Sequence, residues 1–214
     1  MTKQRFKLPE RNVREVAYEL SYKIARERLA SVTDIESQCA KSGARLVPGG
    51  KAVEIAHLGR TYQISLGDGE VTVAGAPEAV PIRDEILILH YFLHASGAPL
   101  TGRKITYKEL HDGLNYYPTF YKRSISPVVN RFKNEPQKLP EAARPMGGVT
   151  TDYGDSAVTV PAFPRVPLTY VVWRGDSEFP ADGSILFDST ISEYLPTEDI
   201  TIICEVIAWH LARS

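Results

Sequence analysis

The sequence predicts an α+β fold. Three observations carry that expectation. Apolar residues recur at helical spacing over residues 12–42 and again over 197–211. Short β-branched segments cut by glycine follow one another between Ala52 and Ala74. The last third is largely extended and holds Pro161, Pro164 and Pro167. A length of 214 residues compares with roughly 100–200 residues per domain, so one domain spanning 1–214 is expected, with residues 1–75 as a candidate subdomain. A chain of this size buries about 70% of its unfolded surface, enough for a core without disulfides or a structural metal.

The elements are expected in this order. Residues 12–42 read as one long helix, with Val13, Val16, Ala17, Leu20, Ile24 and Leu29 as its core-facing stripe and Gly43 as its stop. Ala52–His57, Tyr62–Leu66 and Glu70–Ala74 read as an antiparallel meander, with turns at Gly59-Arg60 and Gly67-Asp68-Gly69. Pro81–Ala95 reads as a central buried helix, because its apolar residues leave little polar face. Residues 103–108 suit a short strand or the entry to a helical turn. Pro118–Phe132 is expected as a helix in two pieces, broken at Pro127 with Ser126 as N-cap. A weak helix at Pro136–Arg144 comes next. Ala157–Val160, Leu168–Trp173 and Ser184–Phe187 read as C-terminal antiparallel strands. Their three prolines, which remove ladder donors, point to an edge or a loop. An amphipathic helix from about Thr197 to Leu211 ends the chain, with Glu198 and Asp199 in its first turn, where the helix dipole favours negative charge.

Hydrophobic residues are 43% and charged residues 24% of the chain, which excludes disorder, collagen and coiled coil. The net charge of −1 makes nucleic acid an unexpected partner. The opening residues MTKQRFKLPERN lack the apolar run of a secretion signal. The longest apolar stretch, Ile86–Leu93 interrupted by His90, falls short of the roughly 18–20 residues of a membrane span. A cytoplasmic location and no membrane partner are expected, and with them two buried free thiols at Cys39 and Cys204. The even charge hides an asymmetry. Residues 101–150 carry a net +5 and residues 151–214 a net −7. Packing of the two segments against each other is the plainer reading, and a charged pocket or partner the other.

The most unusual stretch is Gly113-Leu-Asn-Tyr-Tyr-Pro-Thr-Phe-Tyr-Lys-Arg-Ser124. Tyr116, Tyr117 and Tyr121 beside Lys122 and Arg123 suit a flat anionic ligand, such as a tetrapyrrole or corrinoid, or a nucleotide. The alternative is that the rings fill the core and the cations are solvated. The acidic run Arg174-Gly-Asp-Ser-Glu-Phe-Pro-Ala-Asp-Gly183 supplies Asp176 and Glu178 as further ligand-binding candidates. With Asp188 those carboxylates also suggest acid–base chemistry near a metal, and a polar turn is the simpler reading. His90 and His94, four apart on one helix face, are further metal-ligand candidates beside Asp176, Glu178 and Asp182, and lack a third ligand. Phosphate-loop, dinucleotide-binding and nucleophile-elbow patterns are absent from the sequence. No catalytic residue is assigned.

Leu89-His-Tyr-Phe-Leu-His-Ala-Ser-Gly-Ala-Pro-Leu100, the Gly113–Ser124 run, Phe163-Pro-Arg-Val-Pro167, Trp173-Arg-Gly-Asp-Ser-Glu-Phe179, Ile185-Leu-Phe-Asp188 and Tyr194-Leu-Pro-Thr-Glu-Asp199 occur in that order. With these motifs the chain resembles DUF3786, a family of domains of unknown function met mainly in strictly anaerobic bacteria and archaea. The resemblance spans nearly the whole chain and implies no assigned activity. Some relatives carry an added cysteine-rich iron–sulfur module like that of corrinoid proteins in one-carbon metabolism. This chain lacks it, so electron transfer would need a partner. The resemblance implies a cofactor-binding or accessory protein of anaerobic metabolism. The alternatives are a metal-assisted hydrolase or transferase using carboxylates between 176 and 188, and an interaction module for an iron–sulfur or corrinoid protein.

Overall fold

The computed structural model describes residues 13–214, with side chains from residue 16 onward. The reading of residues 1–12 and the side chain of Val13 therefore lie outside the described residues. The expected long helix is two helices, α1 (Val13–Ala30) and α2 (Ile35–Ser42). The break is built by Asp34, whose carboxylate accepts a hydrogen bond from the Ser37 N–H at 2.9 Å and caps α2. The phase of α1 also differs from the expected stripe. Of that stripe Leu29 is buried, beside Ala25, whereas Val16, Ala17, Leu20 and Ile24 are exposed. The inner face is chosen by the small Ala25 and the half-buried Tyr22, which let α1 lie close against the following helix layer.

The meander forms as a four-stranded antiparallel sheet in the order β1 (Arg45–Leu46), β2 (Ala52–His57), β3 (Arg60–Ser65) and β4 (Val71–Val73). Strands β2 and β3 alternate buried and open residues, with Val53, Ile55, Tyr62 and Ile64 on the core face. Helix α3 (Ile82–His94) is central and buried, as its composition required. Tyr91 anchors it: the hydroxyl donates to Ser42 O at 2.7 Å and accepts from the Arg165 N–H at 3.1 Å, and the ring stacks on Phe163 at 4.2 Å.

The second sheet has five antiparallel strands in the order β5 (Lys104–Thr106), β9 (Asp182–Asp188), β8 (Val166–Trp173), β7 (Ser156–Phe163) and β6 (Val149–Thr151). The proline-bearing strands β7 and β8 are interior, not edge strands. The prolines are tolerated because Pro161 pairs with Pro167 at the turn end of the hairpin. There β6 has already stopped, at Thr159, and β9 reaches no further than Leu168. That end of β7 is a local edge. The freed carbonyl of Ala162 accepts instead from His57 Nδ1 at 2.9 Å and from the Leu58 N–H at 3.4 Å, so the β2–β3 turn of the first sheet docks on the second.

Helices α4 (Gly113–Phe120), α5 (Ser126–Phe132), α6 (Leu139–Ala143) and α7 (Thr197–Arg213) complete the fold. The expected two pieces form, with Pro127 in the first turn of α5, but no cap separates them. Residues Tyr121–Ile125 form a π turn in which the Ser126 N–H donates to Tyr121 O, and Ser126 makes no side-chain cap. The widened turn makes room for a proline ring that would press on the carbonyl four residues back. Gly183 of β9 lets α5 approach, since a Cβ there would stand 2.6 Å from Val129. On the same sheet face, the Tyr170 hydroxyl donates to Cys204 O of α7 at 2.8 Å. The basic segment around α4 and α5 thus lies against the acidic α7 and β9, with Arg123 paired to Glu205 at 3.3 Å. Both cysteines are free and buried. Among the described residues no helix is long and apolar enough to cross a membrane.

Candidate ligand-binding site

The helix from Gly113 to Phe132 sets the site. Gly113 is forced by its position, because a Cβ would stand 1.9 Å from Tyr107 O. Phe120 is sealed inside and stacks on Tyr107 at 3.7 Å. The remaining aromatics divide by helical phase. Tyr117 and Tyr121, four residues apart, share one face, and Tyr116, one residue from Tyr117, is turned by about 100° to another. The tyrosine–cation cluster of the sequence is therefore split between two hollows, and neither is the sealed core.

Tyr116 and Arg123 line a cavity of about 660 Å³ at the start of α7. Arg123 donates to the Tyr116 hydroxyl and to Glu205, each at 3.3 Å. Asp112, Glu198 and Glu205 face the same space. Its one arginine is outnumbered and already paired, so this cavity is a poor host for an anion. Lys122 points outward, exposed, and lines neither hollow.

Tyr117 and Tyr121 line a groove of about 650 Å³, closed on the far side by Trp173 and by Phe179-Pro180. The four rings come with two cations, Lys108 and Arg174, and one carboxylate, Asp182. Lys108 Nζ lies 4.2 Å from the Tyr117 ring centre. The Tyr121 hydroxyl donates to Asp182 Oδ1 at 2.8 Å. Burial, reinforced by that carboxylate, pushes the Tyr121 pKa up to about 12, so the phenol stays protonated. Trp173 and Phe179 are 41% and 66% exposed, large apolar surfaces left open at the rim of a concavity. Arg174 is steered by its neighbours: its guanidinium donates to Gln137 Oε1 at 3.0 Å and its N–H to Asp155 at 2.8 Å.

The carboxylates singled out in the sequence have separate duties. Asp176 Oδ1 accepts the N–H groups of Glu178 and Phe179 at 2.8 and 2.7 Å, and these bonds hold its pKa below the usual range. It shapes the turn that aims Phe179 at the groove. Glu178 is exposed on that turn and lies outside the groove lining. Asp188 sits at the opposite end of β9, roughly 20 Å along the strand from Asp182. It is buried and accepts bonds from Thr101, Gly102 and Thr190. Burial works to raise its pKa, and those bonds outweigh burial and bring it to about 2. His90 donates Nδ1–H to the buried Asp199 at 2.7 Å, and His94 meets Arg28 at 3.0 Å. Among the described residues no cluster of three or more His, Cys, Asp or Glu is placed to hold a metal ion.

Lys108, Trp173, Arg174 and Phe179 were not legible as site residues in the sequence. About 50 to 60 positions separate the tyrosines from Trp173 and Phe179, and only the pairing of β8 with β9 beneath α5 brings them together. The one local signal was the Asp176 turn, which the sequence presents as a carboxylate feature and the structure uses to place a ring.

A comparison with curated proteins found no match, and neither did one with solved structures. A family model does match, over residues 34–209, and so takes in both sheets, the groove and nearly all of α7. The chain belongs to DUF3786, a family of domains of unknown function.

Proposed function

We propose that the protein is a binding or accessory protein that holds a flat ligand with an anionic group in the groove between Tyr117–Tyr121 and Trp173–Phe179. The observation that carries this reading is the meeting of four aromatic rings and two cations around one 650 Å³ hollow of net charge +1. Hollows of about 300–1,000 Å³ are the usual size for small-molecule sites. The rings cover a planar body, and Lys108 and Arg174 take the anionic end. Tyr121 is a fixed donor to Asp182, which leaves Asp182 as the one acceptor that turns away a second anion. We take the ligand to be a cofactor of anaerobic metabolism, with tetrapyrroles, corrinoids, flavins and nucleotides as the classes to try.

The test offers haem, cobalamin, FMN and ATP in turn and follows tryptophan fluorescence and thermal midpoint. At least one binds and quenches Trp173. A charge-assisted hydrogen bond is worth ~1.5–3 kcal/mol, so Lys108→Met with Arg174→Met weakens binding at least about tenfold. Lys122→Ala and Arg123→Ala leave it within about twofold, since neither cation reaches the groove. Binding steepens at low ionic strength. Absence of binding by all four probes below about 1 mM, or equal losses from Lys122→Ala and from the Lys108 and Arg174 pair, overturns the reading.

A further inference from the structure

A third hollow, of about 420 Å³, lies beneath the β2–β3 turn, well away from the groove in the fold, between that turn, the strap Glu78–Pro81 and the end of α7 at Trp209-His210. His57 stands in its wall and is 1% exposed. Its Nδ1 faces Ala162 O at 2.9 Å, and a carbonyl only accepts, so Nδ1 carries the hydrogen. The opposite ring edge carries Nε2 as a lone pair. That atom is buried and has no hydrogen-bond partner among the described residues. Burial holds the pKa of the ring down to about 4, against smaller upward pulls from the Ala162 carbonyl and from Asp84, so the lone pair persists at neutral pH. Leaving a buried acceptor unmet costs ~1–3 kcal/mol, and a phenylalanine would avoid it. The same wall holds a second cost. Leu58 sits at φ 48, in the left-handed region that leucine avoids. Unmet polar atoms and strained backbone gather where a ligand is received.

We propose that this hollow is a second binding site, taking a small, uncharged, planar heteroaromatic molecule that donates an N–H to His57 Nε2. The partner must be a donor because Nε2 only accepts. It is planar because rings line the wall: His57, Tyr62 at 5.7 Å from it, and the exposed Trp209, which meets His210 edge-on at 5.0 Å. It is uncharged because both arginines of the hollow already have carboxylates. Arg60 holds Glu78 through two bonds at 2.7 and 2.6 Å, and Arg83 holds Asp84 at 3.0 Å. Nε2 is covered in this state. The proposal therefore requires a wall of the hollow to give way before a donor reaches it, and the Arg60–Glu78 pair ties the strap to β3.

The experiment uses adenine, hypoxanthine and uracil as probes, each beside its nucleoside and its ring-N-methylated analogue. Binding is read from the His57 ring nitrogens by NMR and from calorimetry. At least one base shifts the Nε2 resonance. Methylating its N–H weakens binding about tenfold, the worth of one hydrogen bond, and Trp209→Ala weakens it severalfold while the fold persists. His57→Phe lowers the calorimetric affinity about tenfold. If His57→Phe fails to fold, the methylated probes and Trp209→Ala decide. Where adenine is the base that binds, adenosine, whose ribose replaces the one ring N–H, binds about tenfold more weakly, and equal binding of the two overturns the N–H contact. Phe179→Ser, in the groove, leaves all of this unchanged, so failure here and failure of the groove reading are told apart. The proposal is overturned if no base shifts Nε2 up to about 1 mM, or if methylation leaves affinity unaltered.

Discussion

At neutral pH the His57 ring is uncharged because burial lowers its pKa from the ordinary 6.5 to about 4. The sign of the consequence is fixed by linkage. The unfolded chain takes up this proton near pH 6.5 and the folded chain resists it until about 4, so stability is intact above 6.5 and falls as pH drops between the two values. The shift corresponds to about 3 kcal/mol in all. His94, lowered by burial and then by Arg28, and His210, lowered by burial against an upward pull from Asp84, add to the fall in the same direction. Denaturant melts at a series of pH values check this: the wild type loses stability between pH 6.5 and 4, and His57→Phe flattens most of that slope. A slope unchanged in His57→Phe means the ring protonates in place. The sequence presented His57 as an isolated histidine, and nothing local to it differs from a solvated one. Its character comes from Ala162, which is 105 positions away.

At the level of single elements, periodicity located helices better than it oriented them. The apolar spacing in residues 13–30 marked α1, yet two apolar faces share that helix, and the sequence stripe followed the longer side chains. Packing selected the face with Ala25, because a small residue admits close approach, and left Val16, Leu20 and Ile24 open. Substitutions separate the two faces. Leu20→Gln shifts unfolding free energy by less than about 0.5 kcal/mol, whereas Leu29→Ala costs about 2–4 kcal/mol. Chemical denaturation of both variants checks the assignment, and a large loss in Leu20→Gln reverses it. The α4–α5 helix teaches the complementary lesson. Ser126-Pro127 reads as the capped start of a second helical piece, but a π turn takes the place of the cap and absorbs the proline's missing N–H and its ring, so the chain continues helical. Such a turn has no sequence signature apart from the proline it accommodates. The strands were easier: β2, β3, β8 and β9 carry alternation or dense β-branching, while β1 and β6, at two and three residues, are too short to show either.

Across the whole molecule the two sheets meet at one seam, where the Leu58-Gly59 turn presses on Ala162 and on Pro145-Met146. The prolines of the β7–β8 hairpin explain why the seam exists, since they leave Ala162 O without a strand partner and available to the other sheet. The groove is legible only at this scale as well. Its tyrosines were visible as a cluster, but Trp173, Phe179 and Arg174 join them through strand pairing, and the cations named beside the tyrosines in the chain, Lys122 and Arg123, are turned elsewhere by the helix. Gly59 tests how firmly the seam couples the halves. Its φ is +76°, and a Cβ would stand 2.6 Å from Pro145 O, a backbone atom that cannot swing aside. The left-handed conformation alone costs alanine ~1–2 kcal/mol, and the clash adds to it, so Gly59→Ala lowers stability by about 2–4 kcal/mol. Because the seam joins the two sheets, the expected melt is a single transition at a lower midpoint with an unchanged denaturant slope. Fluorescence of Trp209, beside the seam, and circular dichroism of both sheets then fall together. Two separated transitions, with the large sheet still folded after the small one is lost, would show that the halves are stable independently and that the docking of His57 and Leu58 on Ala162 is an addition to the fold instead of a condition of it.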